Sequence, residues 1–430
     1  MKLTSRAGLA AVTTALLVSL ANPYGASAEA TSDKGLWYFE ALNVGAAHAA
    51  GFTGEGVTIA VIDSPINTEI PTLQGADIEF GDPICFLDES GAEPVPATST
   101  DLTGAYNASH GTNVVSYLVG TGKGYPGQTG VKGVAPGATV IAYAVPESDD
   151  PEREGQSACT RSDAAELDAP SKAFGEAVDD AIDRGADIIS VSAGFVADPE
   201  TDRAFSRAIR EGVVIVGALS NSNEIAFVAE FPADGNGAVT VQAIDAEVNI
   251  QETDGVANRN SATDIVAPGV GILLQGEPGG DWKTQRTGRG TSYATPIVAG
   301  FLAVVTQKYP EATGNQLIQS LIHNTGRDDN TVVYDDTDHY GYGTASLTVM
   351  LEQDPTQYDD VNPLINDLQL PSREAIFADS AVDPTVPTVA PDEPTSISTV
   401  LIGVGIAVGA LIFLAGVVVA IVLVRRRRRV

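Results

Sequence analysis

From about residue 57 onward, short apolar runs alternate with segments of helical spacing. Residues 57–62, 140–145, 187–192, 213–219 and 239–244 are largely apolar and rich in Val and Ile, without strict polar alternation. That is the pattern of strands covered on both faces. Between them, residues 110–119, 164–184, 201–211 and 291–309 place apolar positions at helical spacing. Strands alternating with helices predict an α/β fold, a parallel sheet flanked by helices on both faces. No internal repeat of useful period is visible.

Two hydrophobic stretches fall outside this alternation. Residues 7–21 are apolar, follow Lys2 and Arg6, and lead to Ala26-Ser27-Ala28. This reads as a secretory signal over 1–28, cleaved before Glu29. Near the other end, residues 397–424 contain no charge, longer than the ~20 residues needed to cross a bilayer. Arg425 to Arg429 follow, so residues 425–430 read as a cytoplasmic tail, leaving the main domain on the extracytoplasmic side of the cell membrane. Residues 352–396 carry seven prolines, many acids and few aromatics, a composition that cannot bury a core and reads as a stalk. Leu364, Leu368, Leu370 and Phe377 offer the alternative that its first half docks on the domain. The expected divisions are therefore a signal at 1–28, an extension at 29–51, a folded domain at 52–351, a linker at 352–396, a span at 397–424 and a tail at 425–430.

Charge adds a constraint. The net charge is −32, and residues 29–396 hold 17 basic against 56 acidic residues, or −39. Such a surface repels nucleic acid and anionic headgroups and favours neutral or cationic peptides; acidity serving solubility alone accounts for it equally well. Cys85 and Cys159 are the only cysteines, and in an exported chain such a pair reads as one disulfide. Both lie in polar, irregular segments, the second over about 146–163, which are expected as a rim beside the site.

Chemistry is concentrated in three segments. The run 57–62 ends in Asp63, Ser109-His110-Gly111-Thr112 opens a helical pattern, and Gly290-Thr291-Ser292-Tyr293-Ala294-Thr295-Pro296 delivers a serine at the start of another. A hydroxyl is a poor nucleophile at neutral pH; it needs a neutral imidazole to take its proton and a carboxylate to fix the tautomer of that imidazole. The order Asp63, His110, Ser292, together with Val61-Ile62-Asp63-Ser64, Gly133-Val134-Ala135-Pro136-Gly137-Ala138 and Ala267-Pro268-Gly269, resembles the subtilisin-like serine peptidases over about residues 51–347.

The resemblance implies a subtilisin-like sheet, peptide-bond hydrolysis through an acyl-enzyme, and protein or peptide substrates. It also implies roles: Ser292 as nucleophile, His110 as general base and acid, Asp63 as its orienter. Asn221, with the Ser292 backbone N–H, would form the oxyanion hole. Asn223 sits two residues on, and a turn-capping asparagine is the competing account of Asn221. Ser192, Ala193 and Gly194 would form the substrate-binding edge, faced by Leu219 and Ser220. The chain departs from the family at Ser220 and at Pro65, both standing where glycine is usual.

Other candidates are weaker. Residues 122–127 match a dinucleotide glycine pattern by letters, but they read as a loop. His48, His323 and His339 form no ligand-spaced cluster, so no metal or other cofactor is expected. A structural calcium, frequent among subtilases, stays open, with Asp328-Asp329 or Asp335-Asp336 as contributors. The signal, domain, proline-bearing linker, single span and short tail are similar to those of the mycosins, membrane-anchored subtilases of actinobacterial type VII secretion. That likeness implies secretion-system subunits as partners, and an N-terminal extension that wraps the domain without occluding it. A secretion-apparatus component whose protease-shaped ectodomain acts by binding is the alternative function.

Overall fold

The computed structural model describes residues 35–378, apart from 89–91, 147–156, 166–167, 222–230, 278 and 327–331. The expected signal, span, tail and outer half of the linker lie outside these residues. Among the described residues, no helix is long and apolar enough to cross a membrane.

Seven strands form one sheet: β1 (Thr58–Asp63), β2 (Ile78–Phe80), β3 (Thr139–Ala144), β4 (Ile188–Val191), β5 (Val214–Ala218), β6 (Val239–Ile244) and β7 (Ile265–Pro268). Their order is β7-β6-β5-β4-β1-β3-β2, and every pairing is parallel. The branched apolar runs make the inner strands, whose residues are buried on both faces. A parallel sheet needs cover on both sides because its crossovers put helices there. That cover comes from α3 (Ser109–Val119), α4 (Ala169–Asp183), α5 (Pro199–Glu211) and α6 (Thr291–Lys308). α6 is the central one, buried from Thr291 to Val305. Gly300 lets it pass close to the chain: a Cβ there would lie 2.7 Å from Val134 Cβ.

The chain leaves β1 to build one side of the sheet through β3, then crosses to β4 and builds the other. This reversal of direction opens a crevice beyond the carboxyl ends of β1 and β4, the place where α/β sheets bind ligands. Asp63 ends β1 and Ser192 follows β4 directly.

Two parts of the chain extend the domain beyond the alternating core. Before β1, α1 (Trp37–Ala41) and α2 (Val44–Ala49) lie on it. Tyr38 is fully buried, its hydroxyl donating to Lys132 O, and Trp37 Nε1 donates to Val270 O at 3.1 Å. After α7 (Gly314–His323) and α8 (Leu347–Glu352), the first half of the proline-rich segment also packs on the domain, ending in α9 (Arg373–Phe377). Asn362, Leu364, Ile365 and Ile376 are buried, whereas Leu368 and Leu370 are exposed. Asn236 Nδ2 donates to the carbonyls of Asn366 and Pro371, and Arg210 donates to Ile376 O. Described residues 353–378, within the segment expected as a linker, therefore pack on the domain. A few buried apolar side chains and these capped carbonyls hold a segment whose composition alone reads as a stalk.

Cys85 and Cys159 are bridged, with Cα atoms 5.0 Å apart. The bridge ties two loops that also exchange backbone hydrogen bonds between Phe86 and Thr160. Arg161 anchors them, donating to Ile84 O and pairing with Glu176 on α4. The glycine-rich stretch 122–127 covers the end of strand Thr121–Lys123 and the turn that leads to its antiparallel partner Thr129–Lys132.

Candidate active site

Asp63 sits where β1 leaves the sheet, and its carboxylate is buried. Oδ1 accepts from the Ser64 backbone N–H at 2.7 Å and from His110 Nδ1 at 2.7 Å. With Nδ1–H donated to the acid, the proton-free nitrogen of a neutral His110 is Nε2, the form a general base needs. His110 is held in the first turn of α3, whose backbone approaches the turn after β1 closely. Gly111 N–H donates to Ser64 Oγ at 2.9 Å, and a Cβ on Gly111 would lie 2.2 Å from Ser64 O. Pro65 fits this turn, since Gly111 rather than a glycine at 65 provides the clearance.

Ser292 opens α6 one residue after Thr291. Pro296 lies inside the same helix and has no N–H to give the carbonyl four residues back, which is that of Ser292. Ser192 Oγ takes its place, donating to Ser292 O at 2.8 Å. Ser292 Oγ in turn lies 3.4 Å from Ser192 O. The helix start is thus pinned to the end of β4. The ring of Tyr293 stands 5.6 Å from that of His110, which places the imidazole beside the serine's own turn. Tyr117, on α3, lies behind Tyr293 at 6.1 Å.

Asn221 follows β5, and its side-chain oxygen faces the helix start. Oδ1 accepts from Thr291 N–H at 3.0 Å, from Thr291 Oγ1 at 3.2 Å and from Gln251 Nε2 at 3.0 Å. The amide nitrogen is therefore on the opposite, outward edge. Asn221 itself is exposed. Asn223, the competing register, lies outside the described residues. Ser192, Ala193 and Gly194 continue from β4 with rising exposure, while Leu219 is buried and Ser220 half-buried after β5. The structure thus gathers Asp63, His110, Ser292, Asn221, the small-residue stretch 192–194 and Leu219-Ser220 around the carboxyl ends of β1, β4 and β5. Thr291, Gln251, Thr253 and Asn258, which surround Asn221, escaped the sequence reading. Thr291 was signalled by its place beside the nucleophile, but the other three come from a loop with no motif.

Two of the other histidines pack against neighbours away from the site. His48 Nε2 lies 2.8 Å from Val134 O, and the His323 ring packs at a tilt against Tyr358 with ring centres 4.8 Å apart. Burial lowers the pKa of His323. Among the described residues no group of His, Cys, Asp and Glu is arranged to hold a metal. Asp335 Oδ1 caps the backbone N–H groups of Thr337 and Asp338, and Asp328 and Asp329 lie outside the described residues.

The model of the Subtilase family matches residues 54–343. Fervidolysin of Fervidobacterium pennivorans is 30% identical over 358 residues, covering 79% of this chain and 46% of its own. The chain thus spans about half the length of that relative. Subtilisin BL of Lederbergia lenta is 30% identical over 290 residues, covering 67% of this chain and 90% of its own. The crystal structure of fervidolysin, described as a keratinolytic enzyme related to subtilisin, superposes with a TM-score of 0.56 at 25% identity. It covers 74% of this chain and 46% of that one.

Proposed function

The chain belongs to the subtilase family, and from that premise we propose that it is a serine endopeptidase cleaving proteins or peptides through an acyl-enzyme on Ser292. The observation that carries this is the buried Asp63 carboxylate holding His110 by Nδ1 at 2.7 Å, with Ser292 on the adjoining helix turn. His110 Nε2 takes the Ser292 proton as Oγ attacks the scissile carbonyl. The resulting oxyanion receives hydrogen bonds from Asn221 Nδ2 and the Ser292 N–H at the start of α6. His110 then returns the proton to the leaving amine, and water repeats the sequence to release the acid. Substrate backbone adds along Ser192, Ala193 and Gly194, a β-augmentation mode, with a small or medium apolar side chain between them and Leu219 and Ser220.

The proposal extends to place. The uncharged stretch 397–424 followed by Arg425 to Arg429 supports a membrane-anchored enzyme whose catalytic domain faces outward. The signal-like N-terminus and proline-bearing linker support a mycosin-like enzyme acting beside a type VII secretion apparatus. The second reading, an ectodomain that serves by binding neighbouring subunits, draws on the same architecture. An intact set of Asp63, His110 and Ser292 favours catalysis, because a purely binding domain has no use for a base-held serine.

Cleavage of internal bonds in an unfolded protein substrate tests the enzymatic part. Wild-type protein is expected to generate fragments and Ser292→Ala none. In a host that exports through this chain, export lost on deletion but kept in Ser292→Ala establishes the binding role instead.

A further inference from the structure

β6 does not lead straight into β7. Residues 245–258 leave the sheet, bridge back at Ile250 to Ile244, and turn through a short antiparallel pair, Glu252–Thr253 with Val256–Ala257. This excursion reaches residue 221. Thr253 Oγ1 and Asn258 Nδ2 each donate to the Asn221 main-chain carbonyl at 2.8 Å, and Gln251 Nε2 donates to its side-chain oxygen at 3.0 Å. Gln251 and Asn258 are both buried. Their backbones are fixed too: Gln251 N–H donates to Ala243 O, and Asn258 N–H to Gln251 O.

The orientation of the two amides follows from one group that cannot rotate. The Thr291 backbone N–H points at the Asn221 amide at 3.0 Å. Only oxygen can face it, so Asn221 must present Oδ1 there and Nδ2 outward. Once that is set, Gln251 must present its own NH2, because its oxygen would meet oxygen. The consequence is visible: among the described residues, Gln251 Oε1 is buried with no hydrogen-bond partner. An orphaned buried acceptor is costly, and its retention calls for a reason. A side chain serving only to fill space here would be cheaper as Leu or Met.

We propose that Gln251 is a positioning residue for the hydrolytic reaction, holding the Asn221 amide with its nitrogen toward the oxyanion. This rests on the reading of Asn221 as oxyanion donor. Thr291 and Gln251 bind the same oxygen from two elements, α6 and the excursion after β6, so the amide is clamped. With Gln251 gone, a single side remains, and the amide can swing away from the position the oxyanion will occupy. Preorganised donors are worth more than mobile ones because no reorganisation falls within the reaction step. The effect should therefore appear in kcat, while KM, set by the edge at Ser192, Ala193 and Gly194, changes little.

The test is a double-mutant cycle on the full chain, with rates expressed per active site titrated by a fluorophosphonate. Gln251→Leu is expected to lower kcat about tenfold, with KM nearly unchanged. Gln251→Glu keeps the shape but sets a carboxylate oxygen against Asn221 Oδ1, and should lower kcat further. Placed on Asn221→Ala, neither substitution should cost anything more, since the group they position is gone. Equal losses in both backgrounds, or no loss from either Gln251 substitution in the wild-type background, overturn the proposal. If Asn221→Ala itself leaves kcat unchanged, the oxyanion reading falls and takes this inference with it. A large loss from Asn221→Ala beside silent Gln251 variants strikes the inference alone.

Discussion

At the scale of single residues, the site depends on which atom each group offers. Asp63 gives one oxygen to both the Ser64 N–H and His110 Nδ1. Asp63→Asn retains the size but presents an amide that cannot stabilise the imidazolium and can favour the wrong tautomer. We predict a loss of about 10⁴ in kcat with little change in KM, a magnitude taken from the serine-protease triad; comparable turnover per titrated site would contradict it. Asp264 is a separate case, far from the chemistry in role. Burial pushes its carboxyl up to about 7, partly offset by the Thr240 N–H that its Oδ2 accepts at 2.9 Å. The residue nonetheless keeps some solvent contact along a cavity shared with Tyr334, Tyr342 and Leu364. A carboxyl with a raised folded pKa binds more protons folded than unfolded, so it costs stability as pH rises from its unfolded value of 3.8 toward 7. Asp264→Asn keeps an acceptor for Thr240 and should raise the melting temperature at pH 8. That gain should shrink through neutrality and vanish near pH 4; a gain that grows on acidification would have the wrong sign.

At the scale of elements, the sequence was most legible where burial is two-sided. The five runs expected as strands became β1, β3, β4, β5 and β6, because branched apolar residues without alternation fit little else. β2 and β7 went unread. β2 is a three-residue edge whose Glu79 and Phe80 are exposed, and β7 begins in a polar context and ends at Pro268. Asp63, His110 and Ser292 were legible because each stands at an element boundary in a local motif. Gln251 and Asn258 were not, since their meaning arises only when a distant excursion meets residue 221. The same holds for Ser192 at the carbonyl that Pro296 leaves free, a pairing across 100 residues. The bridge between Cys85 and Cys159 joins loops 74 residues apart in sequence, and the chain-entropy model gives it about 4–5 kcal/mol. Reduction should lower the melting temperature markedly and expose both thiols to alkylation, while labelling of both without reduction would contradict the bridge.

At the scale of the whole molecule, the folded unit includes the first half of the segment whose composition reads as a stalk, residues 353–378. Because residues up to Phe377 in α9 pack on the domain, fewer residues lie between the last packed element and the proposed span than the composition of 352–396 alone indicates. If the domain is anchored outside, protease added to intact protoplasts should remove it from the membrane fraction; protection of the domain would contradict that topology. The central claim, however, is chemical: that Ser292 is a hydroxyl activated by His110 and Asp63. Covalent reaction with a fluorophosphonate, read by mass spectrometry of the intact protein and its peptides, tests it most directly. The adduct should form on Ser292 alone, be abolished in Ser292→Ala, and slow by orders of magnitude in His110→Ala. A folded wild-type protein that takes up no label, or labels equally well without His110, would contradict the account.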